Sequence, residues 1–236
     1  MSNASESSND WSAACTLIEY ALSINALELV PEGRALKSGR ISPYFFNSGL
    51  FCDGDSLETL IDAYYEVLDN STPIPSDLVI FGPAYKGISL AVGLAMATGR
   101  EFAFNRKEEK THGDGGTIVG AKMKDKPVLI VDDVMTTGTS SGEAVEIVRA
   151  AGGTPIGCVI AFDRQEKMPD VFMSATEAFT EQYNIPVYSA ATLEDLVRVL
   201  QYNADNMDPG SSTKDILQKI YKYNAEYGIQ DLVAKM

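Results

Sequence analysis

The stretch 128–140, Val-Leu-Ile-Val-Asp-Asp-Val-Met-Thr-Thr-Gly-Thr-Ser, constrains this chain more than any other. Val128, Leu129, Ile130 and Val131 form an apolar run without alternation, which predicts a strand buried on both faces. Asp132 and Asp133 stand where that strand ends, and Val134 and Met135 follow. The small residues Thr136, Thr137, Gly138, Thr139 and Ser140 come next, and 141–151 reads as a helix. A strand covered on both faces belongs to a parallel sheet flanked by helices. Open sheets of that kind bind ligands outside the carboxyl ends of their strands. This chain sets two acids and a hydroxyl-lined bend at that place.

The bend suits an anion. Gly138 lets the backbone turn tightly and approach a ligand closely. Thr136, Thr137, Thr139 and Ser140 supply hydroxyl donors without bulk. The helix that follows adds unpaired N–H groups and the positive end of its dipole, so a phosphate fits. Asp132 and Asp133 repel such an anion; their partners are hydroxyl groups, or a metal bound to the same ligand. A sugar phosphate satisfies both halves. An apolar strand followed by Asp-Asp also opens receiver domains, where the acids hold magnesium. There the acids come near the domain start and no such bend follows. A polar surface turn is the other plain reading. The segment resembles the phosphoribosyl-diphosphate (PRPP) signature of the type I phosphoribosyltransferases.

The length of 236 residues allows one sizeable α/β domain with a smaller appendage. No apolar run approaches the ~20 residues needed to cross a bilayer. The polar stretch 1–10 lacks the basic start and apolar centre of a signal peptide, and is expected to be a flexible tail. Cys15, Cys52 and Cys158 show no metal-ligand spacing. Cys15 and Cys158 lie in apolar surroundings and read as small core residues. Their odd number, without a secretion signal, points to a reducing cytoplasm. The formal charge of −14 argues against a nucleic-acid partner, and makes local basic clusters more telling.

Along the chain, 11–29 reads as a helix and 34–51 as an irregular aromatic segment with strand character at 35–37 and 44–46. A second helix spans 57–68, ended by Pro73 and Pro75. Strands at 78–81, 102–104, 128–131, 156–162 and 187–189 alternate with helices at 88–98, 141–151 and 175–183. The segment 107–117 reads as an exposed mobile loop. A helix at 193–200, a polar linker at 203–213 and a helical tail at 216–233 complete the chain. This order predicts a Rossmann-like, mostly parallel five-stranded sheet flanked by helices. The expected organisation is a tail (1–10), a single domain (11–200) with a small hood drawn largely from 30–52, and a C-terminal linker and helix (201–236).

Four further clusters carry chemistry. Lys37 stands near Tyr44, Phe45 and Phe46 in a non-helical segment, a setting for a planar anion or an ordinary aromatic hairpin. Residues 81–87, Phe-Gly-Pro-Ala-Tyr-Lys-Gly, place Tyr85 and Lys86 in a strand-to-helix turn that could hold a diphosphate or be a plain connection. Arg106, Lys107, Lys110 and His112 lie in a glycine-rich segment that reads as a basic lid. A lone histidine is more often structural or solvated. Residues 115–120 briefly resemble a P-loop, but Ala121 stands where lysine is required and Met123 where Ser or Thr is required. Arg164, after the 156–162 strand, can grip a carboxylate with two prongs or sit in a structural salt bridge.

Taken together, these clusters resemble orotate phosphoribosyltransferase over about residues 14–200. The resemblance implies a pentosyltransferase joining orotate and PRPP into orotidine 5′-monophosphate and diphosphate, in pyrimidine (UMP) synthesis. It implies the type I phosphoribosyltransferase fold and Mg2+ held largely by PRPP and water, possibly near Asp132 and Asp133. Asp132 and Asp133 would face the ribose hydroxyls, 136–140 would take the 5′-phosphate, and Val134 and Met135 would also contact PRPP. Tyr85, Lys86, Arg106, Lys110 and His112 would meet the diphosphate. Phe45, Phe46, Thr136 and Arg164 would hold orotate, with Lys37 between the substrates. Catalytic weight would fall on Asp132, Asp133, Arg106, Lys107 and Lys110. In the family, the lysine matching Lys107 enters the partner subunit's site, which implies a homodimer with shared active sites. No nucleic acid or membrane is implied. A purine or uracil transferase, a PRPP-sensing regulator and a bifunctional enzyme are the rival readings. The acidic charge and the retained basic lid speak against the second. The short remainder after 200 speaks against the third.

Overall fold

The computed structural model describes residues 12–71, 73–110, 116–206 and 211–232. The first helix, α1 (Ala13–Ser23), starts on Ser12, whose side chain accepts the Cys15 N–H. It stops at Ser23, and β1 (Leu27–Ala35) and β2 (Ile41–Phe46) follow as a small antiparallel sheet. The expected helix over 11–29 is therefore too long. Asn25 takes a left-handed conformation, φ 57°, which asparagine tolerates, and it turns the chain into β1. Next come α2 (Gly54–Ser71), β3 (Val79–Gly82), α3 (Lys86–Thr98), β4 (Glu101–Lys110), β5 (Gly116–Gly120) and β6 (Pro127–Val131). The chain ends with α4 (Thr139–Ala150), β7 (Thr154–Asp163), α5 (Ala175–Tyr183), β8 (Val187–Thr192), α6 (Leu193–Asn206) and α7 (Ser211–Tyr227).

The main sheet has six strands in the order β5-β4-β3-β6-β7-β8. Five are mutually parallel, as expected, and β5 adds an antiparallel edge paired with β4. That sixth strand corrects the reading of 107–117 as a loop. Residues up to Lys110 continue β4, and Gly116 already belongs to β5. Charge and glycine content hid it, because an edge strand needs no apolar run. Between them, 111–115 fall outside the described residues, as does the expected tail at 1–10. The polar linker at 203–213 is also shorter than expected, since α6 runs to Asn206 and α7 starts at Ser211.

Burial on both faces explains the apolar runs. In β6, Leu129 and Val131 join a core under α1, α2, α3, α6 and α7, while Val128 and Ile130 join a second core under α4 and α5. Cys15 and Cys158 are buried as expected, and Cys52 is exposed. Among the described residues no helix is long and apolar enough to cross a membrane.

Crossovers run from β3 to β4 in one direction and from β6 through β7 to β8 in the other. The strand order thus reverses between β3 and β6, and the crevice at their carboxyl ends is where such sheets bind ligands. The β1–β2 hairpin packs beside it. There α7 closes on the hairpin, and Lys219 Nζ donates to Pro31 O at 2.8 Å.

Candidate active site

Two strand-to-helix turns face each other across that crevice. The first joins β3 to α3 through residues 82–86. A Cβ on Gly87 would stand 2.7 Å from Val131 O and 2.6 Å from Pro83 Cδ, so only glycine lets α3 start this close to β6. Asn105 Oδ1 accepts the Ala84 N–H at 2.8 Å and pins the turn to β4. The second turn joins β6 to α4. Gly138 caps that helix with φ 74°, where an L side chain is strained.

Helix capping separates these two turns from other helix starts. Ser12 and Ser174 cap α1 and α5 with their side chains, and Ser174 with Glu177 forms a full capping box. The starts of α3 and α4 have no side-chain cap. The first-turn N–H groups of α4 remain available to a ligand, together with the positive end of its dipole; at the α3 start Gly87 N and Ile88 N donate to Pro83 O and Tyr85 O at 3.1 and 3.3 Å, so that end offers mainly its dipole. Between them lies a cleft of about 720 Å³, lined by Pro83, Ala84, Asn105, Arg106, Lys107, residues 134–141 and part of α4. Three clusters that the sequence keeps apart are thus brought to one cavity. Lys107 Nζ lies 5.0 Å from the centre of the Tyr85 ring.

Beside the cleft, Asp132 and Asp133 are buried, 6% and 7% exposed. Their backbone is fixed on both sides. Asp132 N donates to Val159 O at 3.0 Å, Asp133 O accepts from Ala161 N at 2.8 Å, and Tyr64 Oη donates to Asp132 O at 2.9 Å. Asp132 Oδ1 accepts the Asp133 N–H at 2.9 Å. Asp133 Oδ2 accepts from Lys86 Nζ at 2.6 Å and from Ser48 Oγ at 2.5 Å. The two acids therefore diverge. Burial and the neighbouring Asp133 charge push Asp132 up to about 6. Burial also works to raise Asp133, but Lys86 and Ser48 outweigh it and hold that carboxyl below its usual range.

A raised carboxyl is a stability penalty at neutral pH. Between about pH 4 and pH 6 the folded chain keeps a proton on Asp132 that the unfolded chain has released, so stability falls across that window and stays lower above it. Asparagine at 132 keeps an oxygen for the Asp133 N–H and carries no charge. Asp132→Asn should therefore raise unfolding stability by roughly 1–3 kcal/mol at pH 7.5. The gain should vanish near pH 4. Urea denaturation at both pH values checks this, and a less stable variant at pH 7.5 would contradict the assignment.

The hairpin side holds the remaining candidates. Phe46 stacks on Phe162, ring centres 5.3 Å apart, and Arg34 lies 3.9 Å above the Phe45 ring. Val134 bridges to Phe162, which connects the cradle to this aromatic wall. Lys37 is exposed at the turn joining β1 to β2. Arg164 takes the structural reading foreseen for it, in part. Its Nε donates to Glu166 Oε1 at 2.7 Å and its Nη2 to Ser42 Oγ at 2.9 Å. Burial opposes its charge, and Tyr44 and Glu166 outweigh that, so the guanidinium stays protonated. His112 and the side chain of Lys110 lie outside the described residues.

Comparison with known proteins agrees with this geometry. Residues 55–193 match the phosphoribosyl transferase domain family. The curated orotate phosphoribosyltransferase of Stenotrophomonas maltophilia (strain R551-3) is 44% identical over 225 residues, covering 91% of this chain and 96% of that protein. This chain belongs to the orotate phosphoribosyltransferase family. The crystal structure of the Francisella tularensis orotate phosphoribosyltransferase superposes with a TM-score of 0.75 at 37% identity, over 90% of this chain and 99% of that one. The Mycobacterium tuberculosis enzyme crystallised with PRPP shares the fold, with a TM-score of 0.58 at 23% identity over 78% of this chain and 99% of that one.

Sequence reasoning missed Ser48, Tyr64 and Asn105 as partners of the site. Ser48 and Tyr64 reach it from 85 and 68 residues away in the chain, so no local pattern marks them. Asn105 carried a signal: a polar amide inside a strand, directly after the apolar run Phe102-Ala103-Phe104 and before Arg106.

Proposed function

We propose that this chain transfers the 5-phosphoribosyl group of PRPP to orotate, giving orotidine 5′-monophosphate and diphosphate in pyrimidine synthesis. The observation that carries this is the pair of uncapped helix starts facing one cleft beside two buried aspartates. PRPP has a phosphate at one end, a diphosphate at the other and ribose hydroxyls between, and the three features answer those three groups. Residues 134–140 would take the 5′-phosphate on the N–H groups and hydroxyls of the α4 start. Asp132 and Asp133 would accept from the ribose hydroxyls. The turn carrying Tyr85 and Lys86 would hold the diphosphate, with Arg106, Lys110 and His112 on its far side. Lys107 would serve a partner's site in a homodimer.

For orotate, Arg164 would pair the carboxylate, Phe45, Phe46 and Thr136 would line the ring, and Lys37 would close between the substrates. No protein nucleophile is needed. Positioning and charge stabilisation at the departing diphosphate suffice as the catalytic principle. Mg2+ fits this site as a substrate-borne ion. Among the described residues no three His, Cys, Asp or Glu side chains converge on a metal position. Magnesium is commonly held by substrate phosphates, waters and one or two carboxylates, here Asp132 and Asp133. Bound to PRPP it would neutralise charge on the leaving group.

The test is an absorbance assay of orotate consumption with PRPP and Mg2+ both present. Turnover of orotate and none of uracil, adenine or hypoxanthine supports the reading. Turnover of a purine or uracil with orotate inert overturns it.

A further inference from the structure

Behind Arg164 the structure holds an uneven charge cluster. Glu166 Oε1 meets Arg164 Nε at 2.7 Å and Nη2 at 2.6 Å, and its Oε2 meets Arg40 Nη1 at 3.0 Å. The three side chains are 15%, 12% and 14% exposed for Arg164, Glu166 and Arg40. Two guanidiniums thus share one carboxylate in a mostly dry place, so the three side chains together carry one net positive charge. Asp163, the nearest other acid in the chain, faces away. Its oxygens accept from Gln165 N at 2.8 Å and Thr176 Oγ1 at 3.0 Å. The Arg164 guanidinium lies 4.2 Å above the Tyr44 ring, and Tyr44 Oη reaches Glu166 Oε1 at 3.3 Å.

Glu166 is itself held by the backbone on both sides. Lys167 N donates to Tyr227 O at 2.8 Å and Ile229 N donates to Gln165 O at 3.0 Å, so the end of α7 brackets it. Arg40 brings the hairpin to the same point, with its Nη2 on Lys167 O at 2.7 Å. The family match stops at 193, yet α7 lies beyond it and locks this segment.

We propose that Glu166 is a positioning residue for orotate: together with Ser42 it occupies Nε and Nη2 of Arg164, and so aims Nη1 at the substrate carboxylate. A planar fork has value only when aimed, since small displacements of a positioned group lower reactivity steeply. Pairing Glu166 with Arg40 as well keeps it from neutralising Arg164 fully, so the cluster retains charge for an anion. The proposal rests on Arg164 being the carboxylate partner, and the experiment separates the two.

Steady-state kinetics of Arg164→Ala, Glu166→Gln and the double variant, varying each substrate, supply the test. Glu166→Gln should raise the KM for orotate about tenfold and leave that for PRPP within about twofold. In the Arg164→Ala background, adding Glu166→Gln should change the orotate KM by less than about twofold, since nothing remains to aim. Should Glu166→Gln fail to fold, Ser42→Ala removes the other acceptor on Arg164 and should raise the orotate KM by about threefold. If Arg164→Ala affects both substrates equally, the assignment of Arg164 fails. If Arg164→Ala is selective for orotate but Glu166→Gln or Ser42→Ala is not, this inference is overturned alone.

Discussion

Asparagine in place of Asp133 should lower kcat/KM for PRPP by about 100- to 1000-fold, the scale seen when a preorganised polar contact at the reacting centre is lost. Asp133 is the acid that the fold keeps ionised. Its Oδ2 collects the Lys86 ammonium and the Ser48 hydroxyl, which overcome the effect of its own burial. An amide of the same shape can offer only one oxygen and carries no charge. It loses the ion pair that draws Lys86 towards the acids, and in the proposed function it would meet the ribose hydroxyls with one acceptor fewer. Little stability is at stake in the pair itself, because Lys86 is 59% exposed and water screens its charge. The expected signature is therefore lost activity with a nearly unchanged melting temperature. Less than a fivefold loss of kcat/KM would remove Asp133 from the mechanism.

Alanine at position 82 should lower stability as well as turnover. A Cβ there would stand 2.1 Å from Gly87 O, 2.5 Å from Gly87 C and 2.9 Å from the Ala91 Cβ. The first two are backbone atoms, so no rotamer change relieves the contact. The end of β3 and the start of α3 must part, and α3 is the helix that presents Tyr85 and Lys86. Overpacking of this kind costs about 1–3 kcal/mol, which lowers the melting temperature of a chain this long by about 2–12 °C. Displacing the turn by about 1 Å should lower turnover by ~100-fold. Gly54→Ala is the control, since a Cβ at Gly54 meets nothing within 4 Å. Thermal melts and PRPP-dependent turnover of both variants check the contrast. An active, unshifted Gly82→Ala enzyme would mean that the tight turn is dispensable.

The cleft itself could be read in the sequence because its parts are local. Each arm is a strand, a short turn and a helix start within about a dozen residues, and apolar runs, glycines and hydroxyls mark all three. The parallel core strands were legible for the same reason: four of them carry near-continuous apolar runs that both cores bury. Edge and hairpin elements were not. β5 is glycine-rich and lies at the sheet edge, and β1 begins within what periodicity assigns to a helix, where Asn25 breaks the chain direction. Contacts between distant segments were equally hidden. Nothing near Ser48 announces Asp133. Nothing near Arg40 announces Glu166, 126 residues on. Even Arg164, singled out as a substrate ligand, proved to be held by a carboxylate two residues away, a pairing that the sequence allowed but could not choose.

In the proposed function the crevice between β3 and β6 grips PRPP through the α4 start and the paired aspartates. Titration calorimetry of PRPP with Mg2+ into the 236-residue chain, alongside Asp133→Asn, is the decisive measurement. The wild-type chain should bind with one site per subunit, and the variant should bind at least about tenfold more weakly. Absence of any binding heat with the wild-type chain at several temperatures, or equal affinity of the two proteins, would contradict the account.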